Sequence, residues 1–225
     1  IRGLLSRSDG VITVSNAVAE YVRSLGISGD ETKIIPNGVD CKEFTPQRDT
    51  AEEDVDIIYV GRLIENNGPD TFIQALPSVF EQYGEEVSVV IVGDGPMKTE
   101  LEEKVVSLGV KDSVTFTGRV SHDRVADLMA NAKAFCRPSL TEGLPLTTLE
   151  AMASGCPPVV TPVAGVPEIV EDGITSFKIF TAYDWGLLNR VTPAGEHVDA
   201  ALDLARTIAS KSPTAIGMGK RTVYE

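Results

Sequence analysis

The sequence predicts an α/β protein built on a doubly wound parallel sheet. Apolar segments of strand length, such as 55–60 and 87–92, lack the alternation of a half-exposed strand, so both of their faces should be buried. Segments with helical spacing of apolar residues separate them, for example 97–108. Strands that alternate with helices in this way form a parallel sheet with helices on both faces, a Rossmann-like arrangement.

The first part of the chain predicts smaller elements. In order, these are a strand at 11–15 that ends in a helix cap, a helix at 16–25, a strand at 33–36, a turn at 37–40 and a polar loop at 45–54. From residue 55 the pattern becomes regular. Strands are predicted at 55–60, 87–92, 113–116, 132–136, 158–161 and 174–179. Helices are predicted at 70–83, 97–108, 121–131, 145–154 and 166–171.

Composition limits the classes of function. Hydrophobic residues make up 42% and charged residues 24% of the chain, which is typical of a globular protein, and no apolar run has the length of a membrane span. The net charge of −13 argues against nucleic acid as a partner. The three cysteines are far apart, which favours reduced thiols, a cytoplasmic location and no zinc site. His122 and His197 have no neighbours at metal-ligand spacing and are expected on surface loops.

Ligands of a parallel sheet bind beyond the carboxyl ends of its strands, so the segments that follow the strands are the candidates for a site. Gly61 and Arg62 follow the first sheet strand, where a guanidinium can hold a diphosphate through two hydrogen bonds. An ordinary surface arginine is the alternative. Gly93 and Gly95 follow the second strand and allow backbone to approach a ligand, although an ordinary strand-to-helix turn explains them equally well.

The segment after the fourth strand carries the most specific pattern. Glu142 and Gly143 lead through Leu144 into Pro145, which suits the first turn of a helix, so the helix N-terminus favours an anion here. Capping by the glutamate is the alternative. Glu150 follows on the same, largely apolar helix. We expect it to be partly buried and in need of polar partners, for which sugar hydroxyls are suitable.

Several segments in this order resemble the landmarks of family 4 glycosyltransferases, a retaining group with the GT-B fold. They are 35–40, 61–63, 93–96, 116–118, the Glu-x7-Glu region 142–160, and 165–170. The resemblance covers about residues 5–180 and implies that the chain is the donor-binding, C-terminal half of such an enzyme. The implied reaction transfers a sugar from a UDP- or GDP-linked donor to an acceptor with retention. No metal and no cofactor beyond this substrate are implied.

The resemblance also implies residue roles. Arg62 would bind the donor diphosphate, and Glu150 the ribose hydroxyls. Glu142 would be catalytic, because it would contact the transferred sugar and stabilise positive charge at its anomeric carbon. The backbone of Gly143 to Pro145 would meet phosphate or sugar oxygens, and the glycines of the loops at 61 and 93–95 would border the donor. Gly118 and Arg119 would lie near the nucleobase.

The chain departs from the family pattern at three places. Family members place a lysine five residues after the arginine, where this sequence has Asn67, so we expect weaker binding of the diphosphate. The N-terminal half of a GT-B enzyme is expected to be missing. We therefore divide the chain into a remnant of that half with its connection at 1–44, a nucleotide-sugar-binding domain at 45–182 and a helical tail at 183–225. The missing half would supply the acceptor contacts and any peripheral attachment to a membrane.

The tail resembles the C-terminal segment of the crotonase family, although the segments that carry crotonase chemistry are absent. A helix predicted at 196–210 has an apolar stripe, which needs either the open flank of the sheet or another chain as a partner. The alternative function is a catalytically incomplete module, or fusion fragment, that binds a nucleotide sugar and needs a partner chain. An NAD-dependent oxidoreductase is disfavoured because the glycine fingerprint of that class is lacking.

Overall fold

The computed structural model describes residues 10–27, 32–46, 55–83, 87–171 and 177–178. It confirms the α/β fold with a parallel, Rossmann-like sheet. Residues 11–34 contribute a two-stranded sheet and residues 55–178 a six-stranded one. In the described part, no helix is long and apolar enough to cross a bilayer.

The large sheet has the order β5-β4-β3-β6-β7-β8, and every pair is parallel. Its strands are β3 (Val55–Val60), β4 (Val89–Val92), β5 (Val114–Gly118), β6 (Ala132–Arg137), β7 (Pro158–Val160) and β8 (Phe177–Lys178). The sheet grows from β3 to β5 in one direction and then from β6 to β8 in the other. The order therefore reverses between β3 and β6, and the loops that follow these two strands diverge there, which opens a crevice at the carboxyl edge.

Helices cover both faces of this sheet, as the apolar strands predicted. They are α2 (Pro69–Tyr83), α3 (Lys98–Ser107), α4 (His122–Asn131), α5 (Leu146–Ala153) and α6 (Val166–Ile169). On β3, Ile58 and Val60 belong to a core cluster with residues of α4 and α5. Tyr59 points to the opposite side and packs in a second cluster with residues of α2 and α3. Successive residues of a strand face opposite sides, so β3 is buried on both.

A smaller unit precedes the large sheet and packs against it. It contains β1 (Val11–Thr13), α1 (Asn16–Ser24) and β2 (Thr32–Ile34), and the two strands pair in parallel. Ser15 caps α1, since its side chain accepts a hydrogen bond from the backbone N–H of Val18. Glu168 of α6 accepts two more from the N–H groups of Asn16 and Ala17, each at 3.0 Å. This carboxylate therefore ties the start of α1 to the large domain.

The boundaries of the described helices and strands agree with those predicted from the sequence to within a few residues. Pro145 precedes α5 instead of opening it, because it has extended backbone angles of φ −72° and ψ 118° and the helix begins at Leu146. The predicted strand at 174–179 is described only at 177–178. The tail at 183–225, with its predicted helix at 196–210 and its predicted resemblance to the crotonase family, lies outside the described residues.

Candidate functional site

The crevice between the loops that follow β3 and β6 forms a cleft of about 550 Å³. This volume lies in the range of pockets that hold small organic ligands. Three predicted site residues of the first loop and two of the second meet here. The lining residues are Gly61, Arg62, Ile64, Asn66, Asn67, Arg137, Thr141, Glu142, Gly143 and Thr147.

The loop after β3 carries the exposed Arg62, and the buried Asn67 holds this loop through hydrogen bonds. The Asn67 side chain donates a hydrogen bond to the backbone oxygen of Arg62 at 2.8 Å. The Tyr59 hydroxyl donates to the backbone oxygen of Asn67 at 3.2 Å. Asn67 is only 8% exposed, and the other end of its amide is also engaged. It therefore holds the backbone that carries Arg62 in place.

Arg137, the last residue of β6, is a charged residue of the cleft lining that was not predicted from the sequence. Its Nη1 donates to the hydroxyl of Thr147 at 2.6 Å, and its Nη2 donates to Oδ1 of Asn67 at 3.0 Å. The same Nη2 lies 2.8 Å from Oε1 of Glu142. The available signal was a charged residue at the carboxyl end of a strand, directly before the loop that carried the strongest motif.

Glu142 faces Arg137 in a nearly closed environment, since their side chains are 13% and 11% exposed. The approach is an ion pair whose angles do not satisfy those of a hydrogen bond. Within the described residues, Oε1 of Glu142 and Nε of Arg137 are buried without a hydrogen-bond partner. Because buried polar atoms are normally hydrogen-bonded, these two atoms retain capacity for a further polar contact.

The backbone from Gly143 to Pro145 runs from the cleft to the N-terminus of α5. The oxygen of Gly143 accepts a hydrogen bond from the N–H of Gly165 at 3.0 Å. The oxygen of Leu144 accepts one from the side chain of Asn37 at 2.7 Å. These bonds fix the loop from two segments, the one directly before α6 and the one that follows β2. The helix N-terminus that follows contributes a positive end of its dipole next to the cleft.

Glu150 lies in α5, is 8% exposed, and has a partner that the sequence did not predict. Its Oε1 is 3.1 Å from Nε2 of His122, and Nδ1 of the same ring is 2.8 Å from Glu43. His122 is exposed, as the sequence predicted, but it begins α4 and so does not lie on a loop. Its ring lies between two carboxylates. Burial acts to lower the pKa of His122, but the hydrogen bonds to Glu150 and Glu43 outweigh it and raise that pKa.

Gly93 and Gly95 lie outside the cleft lining and have structural reasons to be glycine. Gly93 has φ +138°, and a Cβ there would lie 1.9 Å from the backbone oxygen of Gly61. A Cβ at Gly95 would lie 2.4 Å from the oxygen of Leu63. The loops after β3 and β4 therefore touch backbone to backbone, which accounts for both glycines as turn residues.

The remaining predicted site residues also lie away from the cleft lining. Gly118 ends β5 with φ +68°, and Arg119 is exposed directly after it. Leu144 is buried beneath the loop that it belongs to. In the described part of the chain, no group of three or more His, Cys, Asp or Glu residues is arranged to hold a metal ion.

Comparisons with known proteins agree with this architecture. The family model described as Glycosyl transferases group 1 matches residues 41–190, and the one described as Glycosyltransferase Family 4 matches residues 1–43. The gpi3 subunit of the phosphatidylinositol N-acetylglucosaminyltransferase of Schizosaccharomyces pombe is 33% identical over 175 residues, which is 77% of this chain and 38% of that protein.

Another relative is the GDP-mannose-dependent alpha-(1-6)-phosphatidylinositol monomannoside mannosyltransferase of Mycobacterium tuberculosis. It is 29% identical over 238 residues, which cover 97% of this chain and 58% of that protein. Among solved structures, Anabaena HepE in complex with UDP and glucose superposes with a TM-score of 0.76 at 22% identity. That match covers 98% of this chain and 63% of the HepE chain. The chain thus spans less than two thirds of each of these proteins.

Proposed function

Since this chain belongs to the glycosyl transferases of group 1, we propose that it binds the nucleotide-diphosphate sugar donor of a retaining glycosyltransferase. The observation that carries this proposal is the cleft at the reversal point of the sheet. Arg62, Glu142 and the backbone before α5 converge there. A cation, a helix N-terminus and a carboxylate together favour an anionic, hydroxyl-rich ligand, and these features supply all three.

Each polar group has a task in this proposal. Arg62 is exposed at the cleft and neutralises the diphosphate, whose departure from the sugar requires stabilisation of negative charge. Glu142, inside the cleft, faces the sugar ring and stabilises positive charge at the anomeric carbon. Glu150 accepts from the ribose hydroxyls through Oε2, since the described contact to His122 engages Oε1.

The transfer step breaks the bond between the anomeric carbon and the diphosphate oxygen. A bond from the same carbon to an acceptor hydroxyl oxygen forms on the same face of the sugar. The acceptor proton leaves with the departing diphosphate, so atoms and charges balance. The names of the two curated relatives include a donor linked to GDP and acceptors derived from phosphatidylinositol, and HepE was crystallised with UDP. UDP- and GDP-linked donors are therefore the ones to test.

The proposal is tested by calorimetric titration of the purified chain with UDP-glucose, UDP-N-acetylglucosamine and GDP-mannose, with NAD as the comparison ligand. We expect saturable binding of at least one nucleotide sugar and none of NAD. Arg62→Ala should weaken that binding by about 10-fold or more, as loss of a charge-assisted hydrogen bond predicts. Arg23→Ala removes an exposed arginine of α1 and should leave it unchanged.

Transfer is assayed with the same donors and phosphatidylinositol as an acceptor, and the anomeric configuration of the product is read by NMR. An inverted product would contradict retention. Binding of NAD in place of every nucleotide sugar, or equal affinity of the Arg62 variant and the wild type, would contradict the donor site itself.

A further inference from the structure

We propose that Arg137 is the second cation of the donor site and binds the diphosphate directly. This inference rests on the proposed donor-binding function and adds to it a residue that the family pattern does not supply. The position at which the pattern places a lysine holds Asn67, an uncharged residue. The charge of Arg137 reaches the same point from the neighbouring strand, because its Nη2 lies 3.0 Å from Oδ1 of Asn67.

The guanidinium of Arg137 is held in a fixed orientation. Thr147 and Asn67 accept from its two terminal nitrogens, and Gly61 leaves room beside it. A Cβ at Gly61 would lie 3.4 Å from Nε of Arg137 and 3.3 Å from the Tyr59 hydroxyl, which is tighter than normal packing. A planar guanidinium that is oriented in this way loses little side-chain freedom when it binds an anion.

The same guanidinium still has capacity to donate. Arginine carries five N–H donors, and the described residues accept from only part of them. Nε is buried without a partner in this set, and the approach of Nη2 to Glu142 is an ion pair without hydrogen-bond geometry. A fully structural arginine, buried to this extent, would be expected to have its donors satisfied.

The ion pair with Glu142 explains how the cation is kept in the cleft before the donor arrives. A buried charge without a counter-charge is strongly unfavourable, and the carboxylate of Glu142 neutralises Arg137. When a donor binds, the diphosphate becomes the counter-charge of Arg137, and Glu142 is released to face the sugar. Arg137 and Glu142 thus exchange partners on binding instead of losing them.

The test separates the phosphate contribution from the rest of the ligand. Wild type and Arg137→Met are titrated with UMP, UDP, GMP and GDP, and the affinity ratio of diphosphate to monophosphate is compared. Loss of a charge-assisted contact should reduce that ratio by about 10- to 100-fold, while the affinity for the monophosphate changes little. Lys133→Met is the matched control, because it removes a cation at the opposite end of the same strand, where Lys133 pairs with Asp56.

Two further variants keep the test informative if Arg137→Met folds poorly. Arg137→Met combined with Glu142→Gln removes both charges of the pair and should show the same loss of diphosphate preference with a restored melting temperature. Arg137→Met combined with Asn67→Lys moves the cation back to the position of the family pattern. This relocation should recover at least part of the diphosphate preference, which a purely structural role of Arg137 would not allow.

The outcomes distinguish this inference from the function on which it rests. A wild-type chain that binds no nucleotide overturns both. A wild type that prefers the diphosphates, together with an Arg137→Met variant that keeps the same preference, overturns only the role of Arg137. An equal loss of affinity for monophosphate and diphosphate, without recovery by Asn67→Lys, would also overturn it, because it would show that Arg137 acts on the shape of the cleft.

Discussion

The ring of His122 between two carboxylates makes the stability of this domain depend on pH. Both contacts, at 2.8 Å to Glu43 and 3.1 Å to Glu150, are donated by ring N–H groups only when the ring is doubly protonated. The folded state therefore favours the imidazolium, and the pKa of His122 is raised above its ordinary value. Replacement by asparagine removes this linkage while it keeps a polar residue at the start of α4.

The sign of the effect follows from the direction of the shift. A raised pKa in the folded state stabilises the protein fully below the pKa of the unfolded chain and is lost as the pH rises through the folded value. The side chain of His122 is 59% exposed, so each ion pair is screened by solvent and contributes about 0.2–1 kcal/mol. The two pairs together should contribute about 1 kcal/mol at pH 5.5 and almost none at pH 9.

The assay is chemical denaturation of wild type and His122→Asn at pH 5.5, 7 and 9. The ring of His122 also contacts Phe44 edge to face, with centroids 4.9 Å apart, and loss of this contact destabilises the variant equally at every pH. The informative quantity is therefore the change of the difference in unfolding free energy between pH 5.5 and pH 9. Glu43→Gln, which removes one of the two carboxylates, should abolish about half of that change. A difference that is constant with pH, or larger at pH 9, would refute the reasoning.

Three other predictions concern the framework of the site. Glu168→Ala should lower the free energy of unfolding by about 1–2 kcal/mol, because it leaves the first N–H groups of α1 uncapped, and unchanged stability would contradict this role. Gly93→Ala should cost at least about 2 kcal/mol in a denaturant titration, since the new methyl group would overlap a backbone oxygen. Gly38→Ala places its new methyl group in open space and should change the free energy of unfolding by no more than about 0.5 kcal/mol. Equal losses of stability in the Gly93 and Gly38 variants would show that steric overlap does not explain the loss at Gly93. In the folded protein a thiol reagent should modify the exposed Cys41 rapidly. It should modify the buried Cys156, whose pKa is raised by burial, only after unfolding. Modification of Cys156 in the folded protein would contradict its burial.

The fold was predictable because its signal is local and strong. The residues of Val55–Val60 are largely apolar without alternation, and this alone indicates burial between two layers of helices. The single exception is Asp56, whose carboxylate accepts a hydrogen bond from Lys133 on the adjacent strand at 2.6 Å. This polar residue is therefore compatible with the strand. The place of the site was predictable for a related reason, since the rule of carboxyl strand ends needs only the strand boundaries.

The internal connections of the site were not predictable, because they join segments far apart in the chain. The partner of Glu150 is His122, on another helix, and the partner of His122 on its other side is Glu43 in the N-terminal segment. No spacing rule relates these three residues. Arg137 is a different case, because its place at the end of a strand could be predicted from the sequence. Its significance depends on the contact with Asn67, which only the folded chain shows.

The proposed role of Arg137 also agrees with the charge of the whole chain. With a formal net charge of −13, the protein repels an anionic nucleotide at long range, and this repulsion is screened beyond about 8–10 Å in physiological salt. Binding of a diphosphate therefore depends on short-range contacts, which are screened much less inside a cleft. Arg62 alone would be offset by Glu142, which lines the same space. With Arg137, the two arginines outnumber the one carboxylate among the lining residues, which suits the proposed anionic ligand.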